Sequence, residues 1–367
     1  MYVKNINLLN YRNYKKLSVE LTENVNVFVG DNAQGKTNIL ESVYYCAFAK
    51  SHRTSKDKEL INWENSTAYI SLLIGKNRLD KKIDINILRD GKKAIKVNNI
   101  KVNKIGELFG IFNVVMFSPE DLKVIKEAPS LRRRLLDMEL SQVNPNYYFN
   151  LVQYNKVLGE RNILLKSRSF SEDILDVYDI QLSKYADYII SKRLEYINKI
   201  NFYGDIIHKE ITSGKEEINF KYNCTVNLEN GKFKDNYLKK LKDNIEKDRE
   251  KGLTSVGPHR DDFSVFINNI DTKVFGSQGQ QRTSILTMKF ASLKIIREIT
   301  GEYPVLLLDD VLSELDVNRK KYILRSIKDI QTIITCAGIE DLNDYLDDKV
   351  KIFNVSNGQI LNQGRNI

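Results

Sequence analysis

An α/β fold carrying an inserted, mainly helical lobe is what this 367-residue sequence predicts, and three observations predict it. Strand-like alternation fills the N-terminal third. A glycine-rich segment, Gly30 to Thr37, lies between a buried-type strand and a helical pattern. Far along the chain, Val305-Leu306-Leu307-Leu308 is a continuous apolar run of the kind found in strands covered on both faces.

In order, Val3 to Leu9, Val25 to Val29, Tyr69 to Ile74 and Ile83 to Leu88 read as strands, with turns at Asn24 and at Asp90-Gly91, and Ile39 to Phe48 reads as a helix. After Pro129 the period changes. Leu151, Tyr154, Leu158 and Leu165 form one helical stripe, and Ile174, Tyr178, Leu182, Tyr185 and Ile189 another, so 120 to 210 predicts antiparallel helices. Ile218 to Leu228 alternates as a strand, and Tyr237 to Lys251 predicts one charged, solvent-washed helix ending at Gly252. From Val265 strand and turn patterns return, followed by a helix with its apolar face at Leu286, Phe290, Leu293 and Ile296. The division expected is a head made of 1–118 with 253–367 and a helical insertion, 119–252.

With 42% hydrophobic and 29% charged residues the composition is that of a globular protein with a real core. No apolar run approaches the ~20 residues of a membrane span, and no cleavage-site pattern follows the first residues. A cytoplasmic location is therefore expected. Cys46, Cys224 and Cys336 stand far apart in apolar or strand-like surroundings, as small buried hydrophobes do. The net charge of +9 is compatible with a nucleic-acid partner, and equally with lysine-rich codon usage.

Gly30-Asp31-Asn32-Ala33-Gln34-Gly35-Lys36-Thr37 satisfies G-x-x-x-x-G-K-[ST] at every fixed position, in the strand, loop, helix order the motif requires. Glycines let successive backbone N–H groups converge on phosphate oxygens at a helix N-terminus, Lys36 supplies a cation and Thr37 a magnesium ligand. Leu308-Asp309-Asp310 then ends a buried strand in paired carboxylates. At such a strand end Asp309 is placed to hold magnesium, and Asp310 to orient or deprotonate an attacking water.

Ser277-Gln278-Gly279-Gln280 opens the late helix with a hydroxyl, amides and a glycine. Those are the parts of a phosphate cap, or of an ordinary capped helix start. As a phosphate cap it would serve the nucleotide of a second copy, so that a two-fold pair buries two ATP molecules.

The phosphate loop, "SQGQQR", "LLLDD" and "LSELD" together resemble the heads of ABC-type ATPases in the SMC/RecF branch. Nearly the whole chain is similar to the RecF family of bacterial recombination and repair proteins, through "LLNYRNY" (8–14), "GDNAQGKTN" (30–38), "KSHRT" (50–54), "FSPEDL" (117–122), "RRRLLD" (132–137), "GPHRDDF" (257–263), "SQGQQRT" (277–283) and "LLLDDVLSELD" (306–316). The resemblance implies phosphate and magnesium roles for Lys36 and Thr37, a metal-side acid in Asp309, a signature serine in Ser277, and in Asp316 an acid that communicates across the dimer. Where relatives carry glutamate this chain has Asp310, whose shorter side chain favours slow hydrolysis. Phe117-Ser118 replaces a magnesium-contacting glutamine, and Thr335 a transporter's switch histidine.

By the same resemblance the cofactors are ATP and Mg2+ and the activity a weak, DNA-stimulated ATPase. The partners implied are duplex DNA at single-strand to double-strand junctions, a second copy in an ATP-dependent homodimer, and the ring-forming repair protein RecR, with no membrane. The role implied is recombinase loading at gaps, replication restart and SOS induction, near the nucleoid. Arg53 and the run Arg132-Arg133-Arg134 are candidate DNA contacts, each also readable as an ordinary charged surface. His259 and Arg260 read as structural, with Asp261 and Asp262 as ion-pair partners. Three other readings use parts of the same evidence in the sequence: a transporter's ATPase subunit, an SMC-type chromosome protein and a monomeric P-loop kinase or helicase. The first requires a permease partner, the second heptads far longer than the inserted lobe, and the third no trans-acting cap.

Overall fold

The computed structural model describes residues 1–76, 79–167, 171–228, 231–338 and 350–365. They form two compact units, Met1–Asp121 with Leu286–Ile367, and Leu122–Ile285.

The first unit begins with strands β1 (Tyr2–Tyr11), β2 (Tyr14–Glu20) and β3 (Val25–Val29), helix α1 (Lys36–Phe48), and strands β4 (Thr67–Gly75), β5 (Lys81–Leu88), β6 (Lys93–Val97), β7 (Ile100–Val102) and β8 (Val114–Phe117). The second unit follows with α2 (Leu122–Lys126), α3 (Pro129–Val143), α4 (Pro145–Lys166), α5 (Glu172–Thr212), β9 (Ile218–Asn223), α6 (Phe233–Asp243), α7 (Ile245–Lys251), β10 (Asp262–Ile267), β11 (Ile270–Asp271) and the short α8 (Thr272–Phe275). Helix α9 (Gln278–Thr300) starts in the second unit and continues into the first, which closes with β12 (Val305–Asp309), α10 (Val317–Ser326), β13 (Thr332–Cys336), β14 (Lys351–Ser356) and β15 (Gln359–Arg365).

Two six-stranded sheets build the first unit, in the orders β2-β1-β4-β5-β6-β7 and β15-β14-β3-β13-β12-β8. The first is antiparallel. Its period-2 pattern buries Ile6, Leu8, Ile70, Leu72, Ile83, Ile85 and Ile95 on one face, and leaves Asn5, Asn7, Tyr69 and Lys96 on the other. In the second sheet β14, β3, β13, β12 and β8 are parallel. Every residue of β8, β12 and β13 is buried, as the apolar runs Val114–Phe117 and Val305–Leu308 lead one to expect and as the threonines of β13 do not. Parallel register also brings the carboxyl ends of several strands together: Asp309 pairs with Thr335, Thr335 with Phe28 and Leu308 with Phe117. Ligands of α/β sheets bind at such ends.

In the second unit helices α3, α4, α5 and α7 carry buried charge. Arg161, fully buried, donates to Asp179 (2.6 Å) and Asp248 (2.9 Å). Arg193 donates to Asp137 (2.8 Å) and to the Pro258 carbonyl (2.7 Å).

Several expectations are corrected here. Residues 253–285 group with the helical unit, and not with the head, because β10 pairs along its whole length with β9. The strand foreseen to Leu228 ends at Asn223. The single charged helix is two, α6 and α7, with Asn244 between them; solvent washes most of it, as expected, but one face, through Tyr237, Leu241 and Asp248, is fully buried. On α5 the expected stripe holds at Leu182 and Ile189, both fully buried, but the buried face also runs through Leu175, Asp179 and Ala186 while Ile174 is 49% exposed. Asp179 belongs to that face because Arg161 pairs with it, which an apolar criterion cannot detect. Asp262 pairs with Arg132, and Asp261 accepts from Tyr222 and Thr225, so neither is the ion-pair partner of Arg260. Cys46 and Cys336 are buried as foreseen, whereas Cys224 is half-buried.

Candidate phosphate site at the strand ends

Gly30, Asp31, Asn32, Ala33, Gln34 and Gly35 lead from β3 into α1, whose first residues are Lys36 and Thr37. Two glycines are demanded by space. A Cβ on Gly30 would lie 2.2 Å from the Val355 carbonyl oxygen, and one on Gly35, at φ +113°, would lie 2.5 Å from Asn13 Nδ2. Lys36 is 4% exposed, and its ammonium donates to the carbonyls of Gly30 and, at 3.0 Å, of Asp31. The loop, Asn38, Arg53 and Asp310 line a cleft of about 420 Å³.

The paired acids sit where the parallel strands end. Thr37 Oγ1 donates to Asp309 Oδ1 at 2.9 Å, so the phosphate loop and the acidic strand end meet directly. Thr335 Oγ1 donates to the same oxygen at 2.8 Å and accepts from the Asp310 backbone N–H at 3.0 Å. Thr335 thus holds both acids in place, a structural role that a hydroxyl can fill although it does not titrate near neutral pH as a histidine would. Asp310 takes φ +54°, a left-handed conformation that aspartate tolerates better than most residues. Burial raises its pKa, opposed by Lys36 and reinforced by Asp309. Ser118, at the end of β8, receives Asp121 Oδ2 on its backbone N–H at 2.7 Å, and Asp121 in turn pairs with Lys289 at 3.1 Å.

Supporting groups carried no assigned role in the sequence reading. Tyr14 OH donates to the Gly35 carbonyl at 3.1 Å, Asn13 Nδ2 to the Gln34 carbonyl at 3.0 Å, and the Gly358 N–H to the same carbonyl at 3.1 Å. The β1–β2 turn and the β14–β15 turn therefore clamp the loop from two sides. Behind it Arg12 makes a two-pronged bond with Glu41, fully buried on α1, which also accepts from Ser51 at 2.5 Å. The local string Arg12-Asn13-Tyr14 gives no sign of these contacts, because its partners Gly35, Gln34 and Glu41 lie 21 to 29 residues away and Gly358 reaches Gln34 from the far end of the chain.

Other candidate residues fall elsewhere. Asp316 caps α10, its side chain accepting from the Arg319 N–H at 3.0 Å. Burial raises the Asp316 pKa, but the bonds and charge of Arg319 outweigh it and the net shift is downward. Ser277 and Gln280 form a reciprocal capping box: Ser277 N–H donates to Gln280 Oε1 (3.0 Å) and Gln280 N–H to Ser277 Oγ (3.2 Å). Gln278 is exposed, Gly279 half-buried, and all four belong to the second unit, while every residue lining the cleft belongs to the first. Arg53 faces the cleft, with Nη1 2.9 Å from Asn38 Oδ1. Arg132 is buried against Asp262 and the carbonyls of Val124 and Glu127, so it is not presented to a polyanion. Arg133 donates to the Asp261 carbonyl at 2.8 Å, and Arg134 alone of the three is exposed.

A glycine cradle ending in Lys-Thr, bonded to an acid at the end of a neighbouring parallel strand, defines a P-loop nucleotide-binding protein of the ABC-type α/β class. Residues 2–360 match the model of the RecF/RecN/SMC N-terminal domain family. The chain is 99% identical over all 367 residues to the DNA replication and repair protein RecF of Clostridium beijerinckii, covering 100% of both, and 70% identical over 366 residues to that of a Clostridium botulinum strain, covering 99% and 100%. Among solved structures it is similar to the recombination mediator protein RecF with ATP in the RecFOR pathway, at TM-score 0.91 and 39% identity over 98% of this chain and 96% of that one. An SMC head domain from Pyrococcus furiosus shares the fold, at TM-score 0.57 and 16% identity over 98% and 95%. The chain belongs to the RecF family of DNA replication and repair proteins. The rival transporter, chromosome-scaffold and monomeric-kinase readings are set aside by that membership.

Proposed function

We propose that this protein is an ATP-driven DNA clamp of recombinational repair, weakly hydrolytic and stimulated by DNA. The observation that carries this reading is the junction of Thr37 with Asp309, which joins the phosphate cradle to an acidic strand end. The oxygen donors there, a hydroxyl and a carboxylate, fit magnesium. No group of three or more His, Cys, Asp or Glu stands ready to hold a metal among the described residues, which suits an ion that keeps waters and phosphate oxygens as its remaining ligands. Thr37 and Asp309 would hold it, and it would supply positive charge against the phosphates of the nucleotide.

The chain's own groups supply the rest. Backbone N–H groups of Gly30 to Thr37 and the N-terminus of α1 bind the phosphates, Lys36 adds a positive charge, and Asp310 orients the attacking water and accepts its proton. Asp310 is one methylene shorter than glutamate, which favours slow turnover. Because burial raises its pKa and the ionised form is the competent one, turnover is expected to fall as pH drops through a value higher than that of an ordinary aspartate. That acid limb should vanish, along with most activity, in Asp310→Asn; a wild-type acid limb no higher than that of an ordinary aspartate would remove Asp310 from this role.

Ser277, Gln278, Gly279 and Gln280 cap the nucleotide of a second copy, with Asp316 communicating between copies. ATP then pairs two molecules around duplex DNA near a gap or a single-strand to double-strand junction, in the cytoplasm and at the nucleoid, with RecR as partner. In support, RecF is the subject of ATP-bound structures described within the RecFOR pathway. The test is sedimentation with ATP, magnesium and gapped duplex. Wild type is expected to dimerise and Ser277→Arg to remain monomeric, because an arginine at that turn would block a facing nucleotide. Monomer under every condition for wild type would sink the clamp.

A further inference from the structure

The outer edge of the antiparallel sheet carries a concentration of positive charge that acids among the described residues pair only in part. Between Gly91 and Gly106 there are five lysines and no acid. Two of the five are spoken for: Lys92 pairs with Asp90 at 3.1 Å and Lys93 with Asp57 at 2.8 Å. Lys96, Lys101 and Lys104 are exposed and make no ion pair among the described residues. The hairpin β6–β7 turns at Asn98-Asn99, both at positive φ (+48° and +67°), a tight geometry that fixes the register.

That register sets Lys96 directly opposite Lys101. Directly opposed residues share a face with their Cβ atoms about 5 Å apart, and like charges there repel. The neighbour of Lys96 on its other side is Asp84, but Asp84 is already held by Lys82 at 3.3 Å and by the Tyr69 hydroxyl. Next to the pair Ile100 stands 74% exposed, and among the described residues no strand lies beyond β7. Lysines on a sheet edge can serve simply to keep edges of separate molecules apart. One such lysine suffices for that, whereas three together, two of them forced side by side, describe a surface completed by a polyanion.

We infer that the β6–β7 hairpin, through Lys96, Lys101 and Lys104, is a contact surface for the phosphate backbone of duplex DNA. This inference rests on the DNA-clamp reading and adds to it the place on the head where the duplex lies. The lysines bind as point charges, so the contact positions the duplex without reading its sequence. It replaces the candidate Arg132, whose guanidinium is buried.

The experiment is fluorescence anisotropy of a labelled gapped duplex with ATP and magnesium across a salt series, using two triple variants of the full chain. Lys96→Gln/Lys101→Gln/Lys104→Gln removes the charge; Lys96→Glu/Lys101→Glu/Lys104→Glu reverses it while leaving the edge charged against self-association. Both are expected to melt as wild type does. The Gln variant should bind about tenfold or more weakly near 0.1 M salt with a salt slope shallower by about two to three, and the Glu variant should bind more weakly still. If wild type binds DNA and both variants bind equally well with the same slope, the hairpin assignment is overturned and the clamp reading survives. If only the Gln variant self-associates and neither loses DNA, the lysines are an edge guard and the assignment is likewise overturned. If wild type itself fails to bind DNA, the clamp reading falls and takes this one with it.

Discussion

Lys36→Ala is expected to lower ATP affinity at least about a hundredfold while leaving the fold intact. Lys36 is 4% exposed, and its ammonium sits over the loop on the carbonyls of Gly30 and Asp31. Its removal takes away a charge-assisted donor to the phosphates, worth about 1.5–3 kcal/mol per bond, and leaves two carbonyl dipoles with their negative ends toward the same space. Two such bonds correspond to roughly 3–6 kcal/mol, and about 2.8 kcal/mol is already a hundredfold. Calorimetric titration with ATP and magnesium reads the loss directly. An affinity within about threefold of wild type would mean that the phosphates do not lie over Lys36.

Arg161→Met is expected to be the most destabilising single change in the helical unit, costing about 3–5 kcal/mol. Arg161, on α4, is fully buried between Asp179 of α5 and Asp248 of α7, and also donates to Thr254 Oγ1 at 3.0 Å. Methionine fills much of the volume but strands two buried carboxylates whose desolvation has no other compensation. Burial already raises the Asp179 pKa with the guanidinium in place, so the cost of charge at this position is substantial. Thermal or urea unfolding should show the variant melting about 10 °C or more below wild type. Adding Asp179→Leu and Asp248→Asn should recover part of the loss, because an apolar or neutral site no longer needs the cation. A single variant that melts with wild type would show that the pair contributes no net stability.

How much of the site was legible in advance depended on how local its chemistry is. The phosphate loop was readable because Gly30 to Thr37 is one continuous string between a strand and a helix. Asp309 and Asp310 were readable because four apolar residues and two acids in sequence already describe a buried strand reaching its end. The clamp around the loop was not. Tyr14, Asn13 and Gly358 act on Gly35 and Gln34 across sheet contacts, and no spacing rule relates residues 13 and 358. Thr335 had looked like a missing histidine; pairing of β13 beside β12 turns it into the residue that steadies both acids. The arginine run shows the opposite failure. Three consecutive basic residues suggest a polyanion site, but helix geometry sends successive side chains to different faces, and the fold buries Arg132 while exposing Arg134.

What the sequence by itself determined was the class of chemistry: an ABC-type phosphate loop, a carboxylate pair at a strand end, a serine-led helix start, and the order of strand-rich and helix-rich segments. These are properties of short windows, where backbone geometry and periodicity leave few alternatives. Left to the folded chain were which strands lie side by side, that residues 253–285 join the helical unit, and which buried charges neutralise one another. The physical reason is that pairing register and burial are set by contacts between residues remote in the chain, and a buried ion pair carries no apolar signature in either of its two sequence neighbourhoods.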